Sequence, residues 1–128
     1  MPKEFPSARV LVVDDEALIR WSLAQMLSDR GYQVVEGGDG SAARSAVRDA
    51  ARAFDVMLLD LRLPDSDGLS LLASLRKASP ATRIILMTAY GAPDVVRGAL
   101  DLGAYRVVSK PFALEDVAKL VAEAAAAV

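Results

Sequence analysis

Asp14 with Asp15, Asp60, Thr88, and Ser109 with Lys110 each stand where a short apolar run stops, after Val10–Val13, Val56–Leu59, Ile84–Met87 and Val107–Val108. If these ends meet, three carboxylates gather beside a hydroxyl and an amine. Two unit charges ~4 Å apart repel by ~4 kcal/mol at an effective dielectric of about 20, so three ionised acids at one point require a cation or a function. Magnesium suits them: it takes one or two carboxylates, keeps several waters and prefers phosphate oxygens for the rest of its shell. Taken singly, each residue also has a structural reading. Asp14-Asp15-Glu16 can cap the following helix, Asp60 can end a strand, Thr88 can serve a turn, and Pro111 can open a helix after Lys110. Only their meeting at one edge makes chemistry the better reading.

The elements between them decide whether that meeting occurs. Strands are expected at the four runs above and at Val34–Val35. Helical spacing appears in Leu18, Leu23, Met26 and Leu27, in Ala42, Ala43, Ala46, Val47 and Ala50, and in Leu69, Leu72 and Leu75. Leu114, Val117, Val121, Ala124 and Val128 form one face of a closing helix, extended by the alanines of 122–127. Gly31 and Gly103 fall where a left-handed residue ends a helix. Strand and helix alternate five times, and strands apolar on both faces require a parallel sheet covered by helices on each side, an α/β fold. In such a sheet every strand C-terminus lies on one edge, the edge where open α/β sheets bind ligands.

Composition removes most competing chemistries. The chain has 128 residues, 53% hydrophobic and 25% charged, with 15 basic and 17 acidic residues and neither His nor Cys. That size suits one domain with a conventional core. Without His or Cys there is no disulfide, thiol nucleophile, Cys/His zinc site or His-based triad. A net charge of −2 gives no field to gather nucleic-acid phosphates. No apolar run approaches the ~20 residues of a membrane span, and the opening residues lack a signal-peptide core, so the expectation is a soluble, cytoplasmic chain.

The stretches Val10-Leu-Val-Val-Asp-Asp-Glu, Asp55-Val-Met-Leu-Leu-Asp-Leu-Arg-Leu-Pro-Asp-Ser-Asp-Gly, Ile84-Ile-Leu-Met-Thr-Ala-Tyr-Gly and Gly103-Ala-Tyr-Arg-Val-Val-Ser-Lys-Pro-Phe occur in this order. With them the chain resembles the response-regulator receiver domain of two-component signalling systems, from about Arg9 to Ala125. Residues 1–8 would be an N-terminal extension of a single domain spanning 1–128. The resemblance implies a flavodoxin-like, doubly wound five-stranded sheet in the order 2-1-3-4-5. It makes Asp60 the phosphoacceptor in a Mg²⁺ (or Mn²⁺) dependent reaction. Asp15 would hold the metal directly, Asp14 chiefly through water, and the backbone carbonyl of Arg62 would complete the protein ligands. Thr88 would contact the phosphoryl group after transfer, Lys110 would pair with it, and the Lys110–Pro111 bond would be cis. The donor would be a phosphohistidine on a sensor histidine kinase or phosphotransfer protein. The product would be a conformational switch, not turnover of external substrates. Dimerisation through the fourth and fifth helices is a family habit; neither nucleic acid nor membrane is an expected partner.

The residues themselves add detail. An aspartate nucleophile is already ionised near neutral pH and needs no general base. A dianionic group on Asp60 offers the Thr88 hydroxyl a new acceptor, and its loop can follow. The helix after Thr88 contains Pro93, the β-branched pair Val95 and Val96, and Gly98, so it is expected to be the least stable and the most mobile on phosphorylation. The family's usual switch aromatic, three residues before the lysine, is replaced by Val107. Tyr105, by strand periodicity on the same face, is its expected partial substitute. Tyr90 and Arg62 fall where the family tunes the phosphoryl lifetime. Trp21 reads as packing, and Asp65-Ser66-Asp67-Gly68 as a turn that caps the third helix, since an EF-hand register fails with Leu63 in its first position. Arg44, Arg48 and Arg52 read as a solvated stripe. Two rival functions remain: an interaction module that signals without phosphorylation, for which Val107 speaks, and a Mg²⁺-dependent hydrolase. The latter lacks a second Asp two residues after Asp60 and a Gly-rich phosphate loop.

Overall fold

A computed structural model describes residues 8–89 and 93–126. The elements run β1 (Arg9–Val13), α1 (Ala17–Asp29), β2 (Gln33–Gly37), α2 (Gly40–Asp49), β3 (Val56–Asp60), β4 (Arg62–Leu63), β5 (Ser66–Asp67), α3 (Gly68–Ala78), β6 (Arg83–Thr88), α4 (Pro93–Asp101), β7 (Arg106–Ser109) and α5 (Leu114–Ala126). Five strands form one parallel sheet in the order β2-β1-β3-β6-β7. With the small β4–β5 pair set aside, this is the expected 2-1-3-4-5 order. That antiparallel pair, Arg62 opposite Asp67 and Leu63 opposite Ser66, has no counterpart in the sequence reading. Two-residue strands are too short to show a period.

Alternation along the strands splits the core into two layers. Leu11, Val13, Met57, Leu59, Ile84 and Leu86 pack with Leu71, Leu72 and Leu75 of α3 and Ala99 of α4. Val10, Val12, Val56, Leu58, Ile85 and Met87 pack with Leu23 and Leu27 of α1 and Val117, Val121 and Ala124 of α5. Each large aliphatic side chain buried here contributes roughly 1.5–3 kcal/mol relative to exposure. This sheet fixes the height of every strand end. Gly31 and Gly103 take positive φ, 96° and 99°, as expected at helix ends.

Several expectations need correction. Only the central strands are buried on both faces; β2 and β7 are edge strands, largely exposed or half-buried. Leu18 and Trp21 are 75% and 57% exposed, so neither packs into the core. They lie on a side of α1 turned away from the Leu23–Leu27 stripe. Leu114, at the first position of α5, is also exposed. Arg52 lies beyond the end of α2, leaving Arg44 and Arg48 as the helical part of the stripe. Pro93 is the first residue of α4, where its missing N–H costs nothing. Tyr90, Val128, Ala127 and residues 1–7 lie outside the described residues. No helix among the described residues is long and apolar enough to cross a membrane.

Candidate functional site

The register of the parallel sheet brings the strand ends together. β1 stops at Val13 opposite Leu59, so Asp14 and Asp60 sit side by side one residue beyond. Asp60 lies opposite Met87, and Thr88 opposite Ser109. The sequence-predicted residues Asp14, Asp15, Asp60, Thr88 and Lys110 therefore share one edge. The Leu61 N–H donates to the Met87 carbonyl (2.8 Å) and the Lys110 N–H to the Thr88 carbonyl (2.7 Å), which ties the three loops to one another. The Lys110–Pro111 peptide is cis.

Lys110 occupies the centre. Its Nζ donates to Asp14 Oδ2 at 2.7 Å and lies 3.4 Å from Asp60 Oδ2 and 3.7 Å from Glu16 Oε1. Asp14 is fully buried, and its other oxygen accepts from the Glu16 N–H at 2.9 Å. Asp60, also buried, accepts from the Arg62 N–H at 3.1 Å. Asp15 is exposed, yet one oxygen each from Asp14, Asp15 and Asp60 lie within 4.8 Å of one another. Such an all-oxygen set fits a hard divalent cation. Thr88 is buried at the end of β6.

The electrostatics follow from this crowding. Burial raises the Asp60 carboxyl from 3.8 to about 6; the Arg62 N–H opposes the rise, the neighbouring Asp14 charge adds to it, and Lys110 counters it. For Lys110, burial works to lower the pKa, but the hydrogen bond to Asp14 and the charges of Asp60, Asp14 and Glu16 hold it above its ordinary value. The ammonium is thus a fixed positive charge among acids.

Two contributors escaped the sequence reading. Arg20 donates from Nη1 to the Asp14 carbonyl at 2.7 Å and from Nε to Glu36 at 3.2 Å, so α1 and β2 jointly hold the acidic loop. Nothing in its spacing sets it apart from other helical arginines. An apolar hollow of about 310 Å³ beside Lys110, lined by Leu18, Ile19, Pro111, Phe112 and Leu114 among others, is the second. Its signal was present as Leu18, which the helical spacing assigned to the core.

The Tyr105 expectation is corrected here. Val107 packs with the α2–α3–α4 layer, whereas Tyr105 packs with the α1–α5 layer. Tyr105 precedes β7, so the strand period does not extend to it, and its ring lies 4.6 Å from the Arg106 guanidinium and 5.4 Å from that of Arg83. It does not share the face of Val107.

Comparison with known proteins gives concordant results. The family model described as "Response regulator receiver domain" matches residues 10–122. The transcriptional regulatory protein PdtaR of Mycobacterium tuberculosis (strain ATCC 25618 / H37Rv) is 36% identical over 110 residues, which are 85% of this chain and 52% of PdtaR. The chain thus spans about half the length of that curated relative and less of several others. Among solved structures, the CheY-like response regulator receiver domain protein of Methanospirillum hungatei JF-1 superposes with a TM-score of 0.87 at 28% identity, covering 92% of this chain and 93% of that one. A response regulator protein from Burkholderia pseudomallei, solved with a phosphorylated aspartic acid, a calcium ion and citrate, gives a TM-score of 0.79 at 29% identity over 91% of this chain and 72% of that one.

Proposed function

This chain belongs to the response regulator receiver domain family, whose role is to accept a phosphoryl group and switch conformation, and from that premise we propose that Asp60 is the acceptor. The donor is a phosphohistidine on a sensor histidine kinase or phosphotransfer protein. An Asp60 carboxylate oxygen attacks phosphorus, the P–O bond forms as the P–N bond breaks, and the leaving electron pair stays on the imidazole nitrogen. No proton has to leave the nucleophile, since a carboxyl with a pKa of about 6 is mostly ionised at pH 7.

One observation carries the reading: a single ammonium, Lys110 Nζ, sits 2.7 Å from Asp14 and 3.4 Å from Asp60 at the sheet edge. There it offsets the negative charge that a phosphoryl group brings and becomes its partner afterwards. Asp15, Asp60 and the Arg62 carbonyl would hold Mg²⁺ or Mn²⁺, with Asp14 acting chiefly through water, as the family resemblance implies. When bound, the ion neutralises charge on the transferring oxygens. Thr88 then contacts the phosphoryl group and carries its loop toward the site.

The hollow beside Lys110, with Leu18 and Trp21 exposed on α1 near it, offers an apolar rim to a donor that must reach Asp60. We place the chain in the cytoplasm, acting as a switch and not as a turnover enzyme. Pairing of two copies through α4 and α5 belongs to the same proposal, with Leu100 and Leu102 exposed on that side.

Incubation with a small acyl-phosphate donor and Mg²⁺ tests this. The intact mass of wild type should rise by one phosphoryl group, and that of Asp60→Asn should not. An unchanged wild-type mass would favour a phosphorylation-independent module, for which Val107 speaks. Consumption of many donor molecules without a phosphorylated protein would favour a hydrolase.

A further inference from the structure

The loop after Asp60 makes a contact that neither the fold nor the transfer chemistry explains. An α-helix begins with four N–H groups that have no partner inside the helix. In α2, the Asp39 side chain serves one of them by accepting from the Ala42 N–H (2.7 Å), while the Asp39 carbonyl accepts the first intrahelical bond, from the Ala43 N–H (3.1 Å). Two more are met from another part of the chain. Asp65 Oδ1 accepts from the Gly40 N–H at 2.8 Å and Oδ2 from the Ser41 N–H at 3.0 Å. One side-chain cap of the Asp39 kind is enough for many helices; the second carboxylate also joins α2 to a loop some 25 residues away.

Asp65 stands between β4 and β5, the two short strands that directly follow Asp60. The base of this loop is held by the Leu61 N–H on the Met87 carbonyl and by the Arg62 N–H on Asp60 Oδ1. Its far end is held by Asp67, which accepts from the Leu69 N–H and caps α3. Its tip is held by Asp65 on α2. The fit is close on both sides. A Cβ on Gly68 would lie 2.2 Å from the Leu61 carbonyl oxygen, and one on Gly40 would lie 2.0 Å from Ser66 Oγ and 3.1 Å from Asp65 Oδ1. Glycine at these two positions lets α3 and α2 close on the loop from opposite ends. The positive end of the α2 dipole also favours the Asp65 charge, and the two backbone donors hold the Asp65 carboxyl below its ordinary value.

We propose that Asp65 is a positioning residue for the phosphoryl-transfer site: by clamping the loop tip to the N-terminus of α2 it fixes the Arg62 backbone, and with it Asp60 and the metal position. It touches neither the reacting atoms nor the metal. Its effect travels through the β4–β5 pair, in which Arg62 lies opposite Asp67. The inference rests on the function proposed above.

The test uses the 128-residue chain as wild type, Asp65→Ala, Asp65→Asn and Gly40→Ala, at a temperature where every variant is folded by far-UV circular dichroism. Mg²⁺ affinity is read by titration calorimetry, Asp60 phosphorylation by intact mass, and thermal midpoints are recorded alongside. Asp65→Ala should weaken Mg²⁺ binding by about tenfold, the low end for groups that orient metal ligands. Asp65→Asn, which retains one acceptor oxygen, should recover part of that loss. Gly40→Ala, whose new methyl pushes Ser66 and Asp65 away while leaving both residues unsubstituted, should shift affinity in the same direction as Asp65→Ala. Mg²⁺ affinities in Asp65→Ala and Gly40→Ala within about twofold of wild type would overturn the proposal whatever the thermal midpoints. If wild type takes up neither Mg²⁺ nor a phosphoryl group, the functional reading falls and the inference falls with it. If wild type does both and Asp65→Ala matches it, the inference alone falls.

Discussion

On the β1–β3 side of the sheet edge, the two buried acids are both tethered, while Asp15 stands exposed. Asp14 is held by Lys110, by the Glu16 N–H and through its carbonyl by Arg20, while Asp60 is held by the Arg62 N–H and faces Lys110. α3 closes this side with four buried residues, Gly68, Leu71, Leu72 and Leu75. The β6–β7 side differs. There α4 has nine residues, two of them β-branched and one glycine, and only Ala99 is buried. Charge placed for reaction must not move as the reaction proceeds, so its supports are dense. A segment that must change shape is drawn from the weakly held part of a fold. On the proposed function, one sheet edge would hold a firmly supported reaction centre beside a weakly buried helix that reports on it, with Thr88 at the boundary.

Lys110→Ala should have the largest effect. It removes the positive charge from the rigid side, should slow phosphorylation by about 100-fold, and leaves the buried Asp14 carboxylate without its ion pair. Metal-free protein should lose about 3 kcal/mol by urea denaturation, partly restored by Mg²⁺. A variant as stable and as reactive as wild type would show that the tethers on this side are ornamental.

Asp60→Asn sharpens the same side through pH. The folded carboxyl takes up its proton near pH 6 and the unfolded one near 3.8, so between those values the native state binds more protons. The stability contribution of this group is therefore fully present below about pH 4 and lost as pH rises through about 6. In metal-free protein at pH 7, Asp60→Asn should raise the urea midpoint and flatten its dependence on pH between about 4 and 6. An unchanged slope would mean that ionised Asp60 is not strained in the resting protein.

Gly98→Ala probes the compliant side. A Cβ there would meet Leu69 Cδ1 at 3.5 Å, an ordinary contact, so the helix gains Ala propensity without a clash. The variant should be about 1 kcal/mol more stable, with slower amide exchange in α4. Loss of stability would show that the glycine serves packing. Trp21→Ala should move stability by no more than about 0.5 kcal/mol, as expected of an exposed side chain. It should slow transfer from a phosphohistidine protein while leaving transfer from a small acyl phosphate unchanged.

The strand runs, their parallel arrangement and the meeting of Asp14, Asp60, Thr88 and Lys110 were legible in the sequence because central strands carry unbroken apolar runs that end at the same height, whereas the strand order came from the family resemblance. Asp67 was legible as a cap because its partner, Leu69, is two residues away. Asp65 was not, since its partners Gly40 and Ser41 lie 25 and 24 residues away and no local pattern records them. Trp21 and Leu18 misled because helical spacing identifies an apolar stripe but cannot tell which apolar residues stand beside it. Tyr105 misled because strand period was carried one residue before β7, where the N–H still bonds to Ile84 of β6 but the ring packs with the α1–α5 layer.

On the proposed function, phosphorylation at a firmly held centre is read out by the weakly buried helix next to Thr88. Hydrogen–deuterium exchange of the Mg²⁺-loaded chain, compared peptide by peptide before and after phosphorylation of Asp60, tests it most directly. α4 should exchange fastest among the helices beforehand and change most afterwards, while β1, β3 and the Asp65-clamped loop change little. An α4 among the best-protected helices, or a change confined to the β1–β3 side, would contradict it.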